Sequence, residues 1–176
     1  MAIRKIYGFE HPTLRVKAKK VPKVDASIVK LIDDLAETML DAPGAGLAAT
    51  QIGVLLRVFV VRGDENQVIG LVNPELVKGE GVQVGYEGCL SYPGWVGEVA
   101  RYEDVVIKGR NRHGKEVRIK STGFTARAYQ HELDHLDGIL FIDRLTSLDT
   151  LHKLEDELEE EGEGEGEEVP AAAVEA

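Results

Sequence analysis

The residues best suited to chemistry are His131-Glu132-Leu133-Asp134-His135. On a helix, positions i and i+4 share one face, so the imidazoles of His131 and His135 can reach one metal ion. Glu132 sits beside the first of them, where a carboxylate can handle the proton of an attacking water, an arrangement used for metal-assisted hydrolysis. The bland alternative is a solvated polar helix face. A tetrahedral catalytic site needs three protein ligands and one open position. The other histidines, His11, His113 and His152, fall in apparent loops or near the end of the chain. The single cysteine, Cys89, stands in Glu87-Gly88-Cys89-Leu90-Ser91 and excludes an intramolecular disulfide framework. A lone cysteine is commonly a small buried hydrophobe. Beside a two-histidine site short of a third ligand it becomes the candidate, and Gly88 permits close backbone approach.

A third stretch is Gly44-Ala45-Gly46-Leu47-Ala48-Ala49-Thr50-Gln51. Its glycines let a substrate backbone pass close by, and Gln51 offers an amide donor for a developing oxyanion. The alternative is a tight turn followed by a close-packed helix start.

Together the three stretches resemble the peptide deformylase family. That family is marked by Gly-x-Gly-Leu-Ala-Ala-x-Gln, Glu-Gly-Cys-Leu-Ser and Gln-His-Glu-x-Asp-His. The chain carries all three intact and in order, at residues 44–51, 87–91 and 130–135, and the likeness covers residues 1 to about 150. The resemblance implies Cys89, His131 and His135 as ligands of one divalent ion. Fe²⁺ is expected first, and Zn²⁺, Ni²⁺ or Co²⁺ can occupy the same site. It implies Glu132 as general acid and base, and Gln51 as oxyanion donor with the backbone N–H of Leu90. It further implies removal of the N-formyl group from the initiator methionine of new polypeptides in the cytoplasm, with release of formate.

The substrate is expected as an extended strand beside Ala45, Gly46 and Gly88, with a methionine pocket walled by Phe124, Arg127 and Ala128. The family usually places a branched aliphatic residue at the position of Ala45, and often at that of Arg127. Both differ here, and the aliphatic stem of Arg127 is the part expected to line the pocket. A zinc peptidase on the same helix motif would need a third His or a Glu ligand and would leave Cys89 and residues 46–51 without a role. A purely structural metal site is normally closed by four protein ligands, and no fourth Cys or His is evident.

The elements that must position these residues form an α+β pattern, with mixed or antiparallel sheets packed around a central metal-binding helix. Asp25 can cap an N-terminal helix whose apolar face is Ile28, Leu31, Ile32, Leu35 and Met39. Strands are expected at residues 54–61 and 68–72, with shorter ones near 76–77, 82–84 and 95–99. Residues 105–107 and 117–119 flank a hairpin turn at 111–115. Residues 124–136 lack Gly and Pro and read as the metal helix, stopped by Asp137-Gly138. Leu148, Leu151, Leu154 and Leu158 suggest a C-terminal amphipathic helix.

The length of 176 residues suits one domain, and 43% hydrophobic with 30% charged residues is ordinary for a globular chain. The net charge of −10 is misleading, because residues 155–176 hold eleven acids and no Lys or Arg. Residues 1–154 carry 20 acids and 21 bases, or +1. The expected organisation is a catalytic domain over 1–150, then a helix end and an acidic tail over 151–176. A Glu/Gly run cannot bury enough apolar surface to offset its ordering entropy, so the tail is expected to be disordered. No broad basic field points to sequence-specific nucleic-acid binding. No apolar run approaches the ~18 residues of a membrane span, and the N-terminus lacks the apolar core of a secretory signal. The expected partners are N-formyl-methionyl peptides and nascent chains. Some bacterial deformylases dock on the ribosome through a basic C-terminal helix; the tail here has the wrong sign for phosphate contact, so tail-mediated docking is not expected.

Overall fold

Asp25 opens the first helix. Its side chain accepts from the backbone N–H groups of Ser27 and Ile28, donors that a helix start leaves without partners. The computed structural model describes residues 2–63 and 67–154, and in it α1 runs Ala26–Asp41. Ile28, Leu31, Ile32, Leu35 and Met39 form its buried face, as their spacing predicts. This face packs on Val58 and Val60 of strand β2 (Val58–Arg62). The alternate residues, Phe59 and Val61, pack on the opposite side against α2 (Gly123–Leu136). β2 is therefore apolar on both faces because helices cover both.

The larger sheet has the order β1-β2-β3-β6-β7. β1 is Gly46–Ala48, β3 Val68–Glu80, β6 Asp104–Arg110 and β7 Glu116–Thr122. The smaller sheet has the order β4-β5-β8, with β4 at Gln83–Cys89, β5 at Tyr92–Arg101 and β8 at His152–Lys153. Every pair of named strands is antiparallel. The mixed alternative is thereby narrowed to antiparallel sheets; among the described residues a parallel contact survives only as an isolated bridge between Lys19 and Leu56.

Strand boundaries differ from expectation. β2 starts at Val58 rather than Val54, because the Leu55 carbonyl accepts from Lys19 and Arg57 donates to the Lys19 carbonyl, which ties this segment to the N-terminal arm. The separate strands expected near 68–72 and 76–77 are one strand, β3, with register shifts between Val72/Glu75 and Leu76/Lys78. Asn73 takes φ 51° at the irregularity, and its side chain pairs with both the N–H and C=O of Val21. Between β2 and β3 the Gly63 N–H donates to the Gln67 carbonyl, and residues 64–66 lie outside the described residues.

The C-terminal helix is the main correction. Leu148–Thr150 form a 3₁₀ turn capped by Ser147, and His152–Lys153 then pair with Val96 and Trp95 of β5. Leu148 is 79% exposed, so the leucine spacing does not define a buried stripe here. Instead Leu151 packs beside Val99 and Phe141, and the backbone just after it satisfies the open edge of β5. Leu158 and the expected disordered tail lie outside the described residues.

Candidate active site

α2 carries His131 and His135 one turn apart, and three devices fix where the helix lies. Gly123 at its start takes φ 58°. Gly138 just past its end takes φ 75°, and a Cβ there would stand 2.9 Å from the backbone of Arg15. Thr50, at the far end of the glycine–alanine stretch, donates its hydroxyl to the His135 carbonyl. That stretch forms β1 and a 3₁₀ turn, Ala49–Ile52, rather than the start of an α-helix.

Cys89 ends β4, opposite Tyr92 across the β4–β5 hairpin. Its Sγ lies 3.2 Å from His135 Nε2, and the ligating atoms of Cys89, His131 and His135 all fall within 4.8 Å of one another. Cys89 faces the histidine pair rather than turning away from it. One pocket brings together Ala45, Gly46, Gln51, Gly88, Cys89, Leu90, Phe124, Arg127, Ala128, His131 and Glu132, and Glu87 lines it as well. His135 lies behind this lining and is fully buried. A wider groove behind α2, lined by Lys17, Arg57, Tyr102 and Asp137, contains none of the three candidate ligands.

The donor set fits a borderline transition-metal ion, pairing one soft sulfur with two imidazoles. Beside it, the buried Glu132 Oε2 has no hydrogen-bond partner from the protein and is open to a water at the site. Burial pushes the Glu132 carboxyl up to about 7, with Glu87 adding to the rise and His131 opposing it. A carboxyl near neutrality can both take and return a proton at working pH. Gly46 makes room for it: a Cβ there would stand 2.4 Å from Glu132 Oε1. The second glycine of the motif thus serves the carboxylate as well as any passing substrate.

Gln51 is oriented by its neighbour. Its Oε1 accepts from Ala48 N–H at 2.8 Å, so its Nε2 must be the donor, and it points to Ser91 Oγ at 3.2 Å and Cys89 Sγ at 3.7 Å. Burial holds His135 well below its ordinary value, reinforced by the charge of His131. For His131 burial acts in the same direction, but the Cys89 and Glu87 bonds outweigh it and hold it well above.

Three contributors went unassigned at the sequence level. Glu87, although inside a quoted motif, accepts from His131 Nδ1 at 3.0 Å and from Arg101 Nε at 2.8 Å. Burial alone would raise Glu87, yet Arg101 and His131 hold it well below the usual carboxylate range. Arg101 Nη1 continues to Asp134 Oδ2 at 2.6 Å, inside the helix motif. Asp134 could have been suspected from the motif; nothing in the local sequence marks Arg101.

A family model for polypeptide deformylase matches residues 3–151. A peptide deformylase of Dehalococcoides mccartyi strain CBDB1 is 55% identical over 164 residues, covering 92% of this chain and 98% of that protein. Among solved structures, a peptide deformylase from Legionella pneumophila superposes with a TM-score of 0.80 at 42% identity, covering 93% of this chain and 100% of the other. One from Thermotoga maritima also has a TM-score of 0.80, at 38% identity, covering 84% of this chain and 100% of the other.

Proposed function

The chain belongs to the polypeptide deformylase family, and from that premise we propose how its own residues divide the work of removing N-formyl groups from nascent peptides. The observation that carries the proposal is the convergence of Cys89 Sγ and the two imidazoles within 4.8 Å, beside a buried carboxylate with an oxygen left free. Cys89, His131 and His135 hold one divalent ion, and we assign Fe²⁺, with Zn²⁺, Ni²⁺ or Co²⁺ as substitutes. When bound, that ion supplies Lewis-acid chemistry, acidifying a water and drawing charge from the formyl carbonyl.

The chain's own groups do the rest. Glu132 takes a proton from the water whose oxygen attacks the formyl carbon. Gln51 Nε2 and the Leu90 N–H donate to the oxygen that becomes negative. Glu132 then gives its proton to the departing nitrogen, the C–N bond breaks, and formate and a free amino terminus result. Ala45, Gly46 and Gly88 receive the peptide backbone, while Phe124, the stem of Arg127 and Ala128 wall the side-chain pocket. We take residues 1–150 as the catalytic domain and 151–176 as its acidic extension, and place the enzyme in the cytoplasm, where nascent chains are made. No helix among the described residues is long and apolar enough to cross a membrane.

The test is metal analysis after anaerobic purification, paired with formate release from formyl-Met-Ala-Ser. One Fe²⁺ per chain is expected. Glu132→Gln should keep the ion and lose ~10²–10⁴-fold in kcat, and Gln51→Leu should lose on the order of 10²-fold. Near-normal kcat in Glu132→Gln would remove that carboxylate from the mechanism.

A further inference from the structure

We infer that Arg127 is a positioning residue of the metal site, holding the Glu87 carboxylate that fixes the His131 ring. The inference rests on the assignment of Cys89, His131 and His135 as metal ligands.

Arg127 precedes His131 by one helical turn, so the two side chains leave α2 on one face. Its side chain is only 7% exposed. The guanidinium is engaged with β4 and β5 through all three nitrogens. Nη1 donates to Glu87 Oε1 at 2.8 Å, to the Val99 carbonyl at 3.0 Å and to the Gly85 carbonyl at 3.3 Å. Nε reaches Gln83 Oε1 at 3.3 Å, and Nη2 reaches the Gln83 carbonyl at 3.4 Å.

The two oxygens of Glu87 are used differently. Oε1 accepts from Arg101 Nε and Arg127 Nη1, and Oε2 accepts from Arg101 Nη2 and His131 Nδ1. Arg101 bridges both oxygens, and Arg127 adds a second donor on the oxygen that His131 does not use, so the two arginines together hold the carboxylate toward the ring. Charge points the same way. The buried anions Glu87 and Asp134 are matched by the buried cations Arg101 and Arg127. Asp134 also pairs with the half-exposed Arg144 at 2.8 Å, so loss of Arg127 leaves Glu87 with Arg101 as its one arginine partner, shared with Asp134. Acceptors that orient a ligating histidine typically change metal affinity by ~10–100-fold when removed. Arginine suits this place better than lysine because only a planar fork reaches a carboxylate and several carbonyls at once.

The experiment loads the full chain with Co²⁺ and follows both its thiolate-to-Co²⁺ absorption and its release into excess EDTA. Arg127→Leu should release Co²⁺ on the order of 10-fold faster than wild type and shift the absorption. Arg127→Lys, which keeps the charge and loses the fork, should fall between the two, and it carries the test if the leucine variant does not fold. Arg127→Leu combined with Glu87→Gln should release no faster than Glu87→Gln alone, because Arg127 acts through that carboxylate. Unchanged release and absorption with a raised KM for formyl-Met-Ala-Ser would make Arg127 a pocket wall only and overturn the inference. A wild-type chain without the thiolate-to-Co²⁺ band would overturn the ligand assignment and the inference with it.

Discussion

At the scale of single residues, Gly46 and Glu132 form one unit. The carboxylate can lie where it does only because position 46 has no Cβ, which would stand 2.4 Å from Oε1 and 2.8 Å from the carboxyl carbon. A contact that short forces a displacement, and Glu132 is 3% exposed, with little free space beside it. Gly46→Ala should therefore act as a displacement of Glu132. The expected outcome is a loss in kcat on the order of 10²-fold, in the range of general acid–base defects, with metal content unchanged because no ligand moves. Paired kcat and metal measurements check this. A variant that loses its ion, or one that changes KM alone, would show that position 46 serves the ligands or the peptide backbone instead. Gly44 is constrained by a different neighbour, the Leu90 side chain, whose Cδ1 lies 2.7 Å from the position of an added Cβ. Leu90 also carries the backbone N–H proposed for the oxyanion, so the two glycines of one motif accommodate two different neighbours of the proposed mechanism.

At the scale of elements, α1 closes the far side of the sheet that carries β1, and its Met39 carbonyl accepts from the Gly44 N–H at the start of the first motif. Its buried Asp34 accepts from Lys30 Nζ at 2.7 Å and Arg4 Nη1 at 3.2 Å, tying the N-terminal arm to the helix. Burial alone would raise this carboxyl, but the Lys30 and Arg4 bonds outweigh it and hold it below its ordinary value. A carboxylate depressed in the folded state stabilises the fold above the unfolded value of ~3.9, and the contribution fades as pH falls through the folded value. Asp34→Asn should then cost roughly 1–2 kcal/mol near neutrality, a few degrees in Tm. The gap from wild type should narrow in acid. A Tm difference that stays constant from neutral pH down to about pH 3 would remove ionisation from the account. The elements also show what a sequence can carry. The two helices, the 111–115 hairpin and the three motifs were legible because each depends on residue types at fixed local spacing. The Glu87–Arg101–Asp134 network was not, since Arg101 meets Glu87 only through the register of β4 on β5 and meets Asp134 only through the docking of α2. Arg127 shows the same limit: its place on the helix predicts a stem along the pocket, and the structure puts it in that lining, but the strand acceptors that hold its head come from β4 and β5 and leave no local signal. At the chain's end a leucine spacing compatible with a helix yielded to backbone pairing at a sheet edge, which sequence periodicity does not encode.

At the scale of the whole molecule, charge is divided between two parts. Residues 1–154 carry +1, and residues 155–176 carry eleven acids without a base. All three motifs, and the pocket they build, belong to the first part. β8 at His152–Lys153 is the last strand among the described residues and pairs with β5 through Trp95 and Val96, near the end of β5 that comes after Cys89. Deleting the chain beyond Lys153 should therefore leave kcat/KM on short formyl-Met peptides within about threefold, short of the ~1.4 kcal/mol of a tenfold effect. Nascent chains present a different setting, because the ribosome surrounds them with phosphate. A segment with eleven acids meets that field with the same sign, and the repulsion is strongest at low ionic strength, where the Debye length is greatest. Truncation after Lys153 should then leave ribosome co-sedimentation at low salt undiminished or raise it, and the difference from the full chain should vanish as salt is added. A truncated chain that keeps its peptide activity but no longer sediments with ribosomes would make the acidic segment a docking element. The contacts it makes would then have to be with basic ribosomal protein surface rather than with RNA.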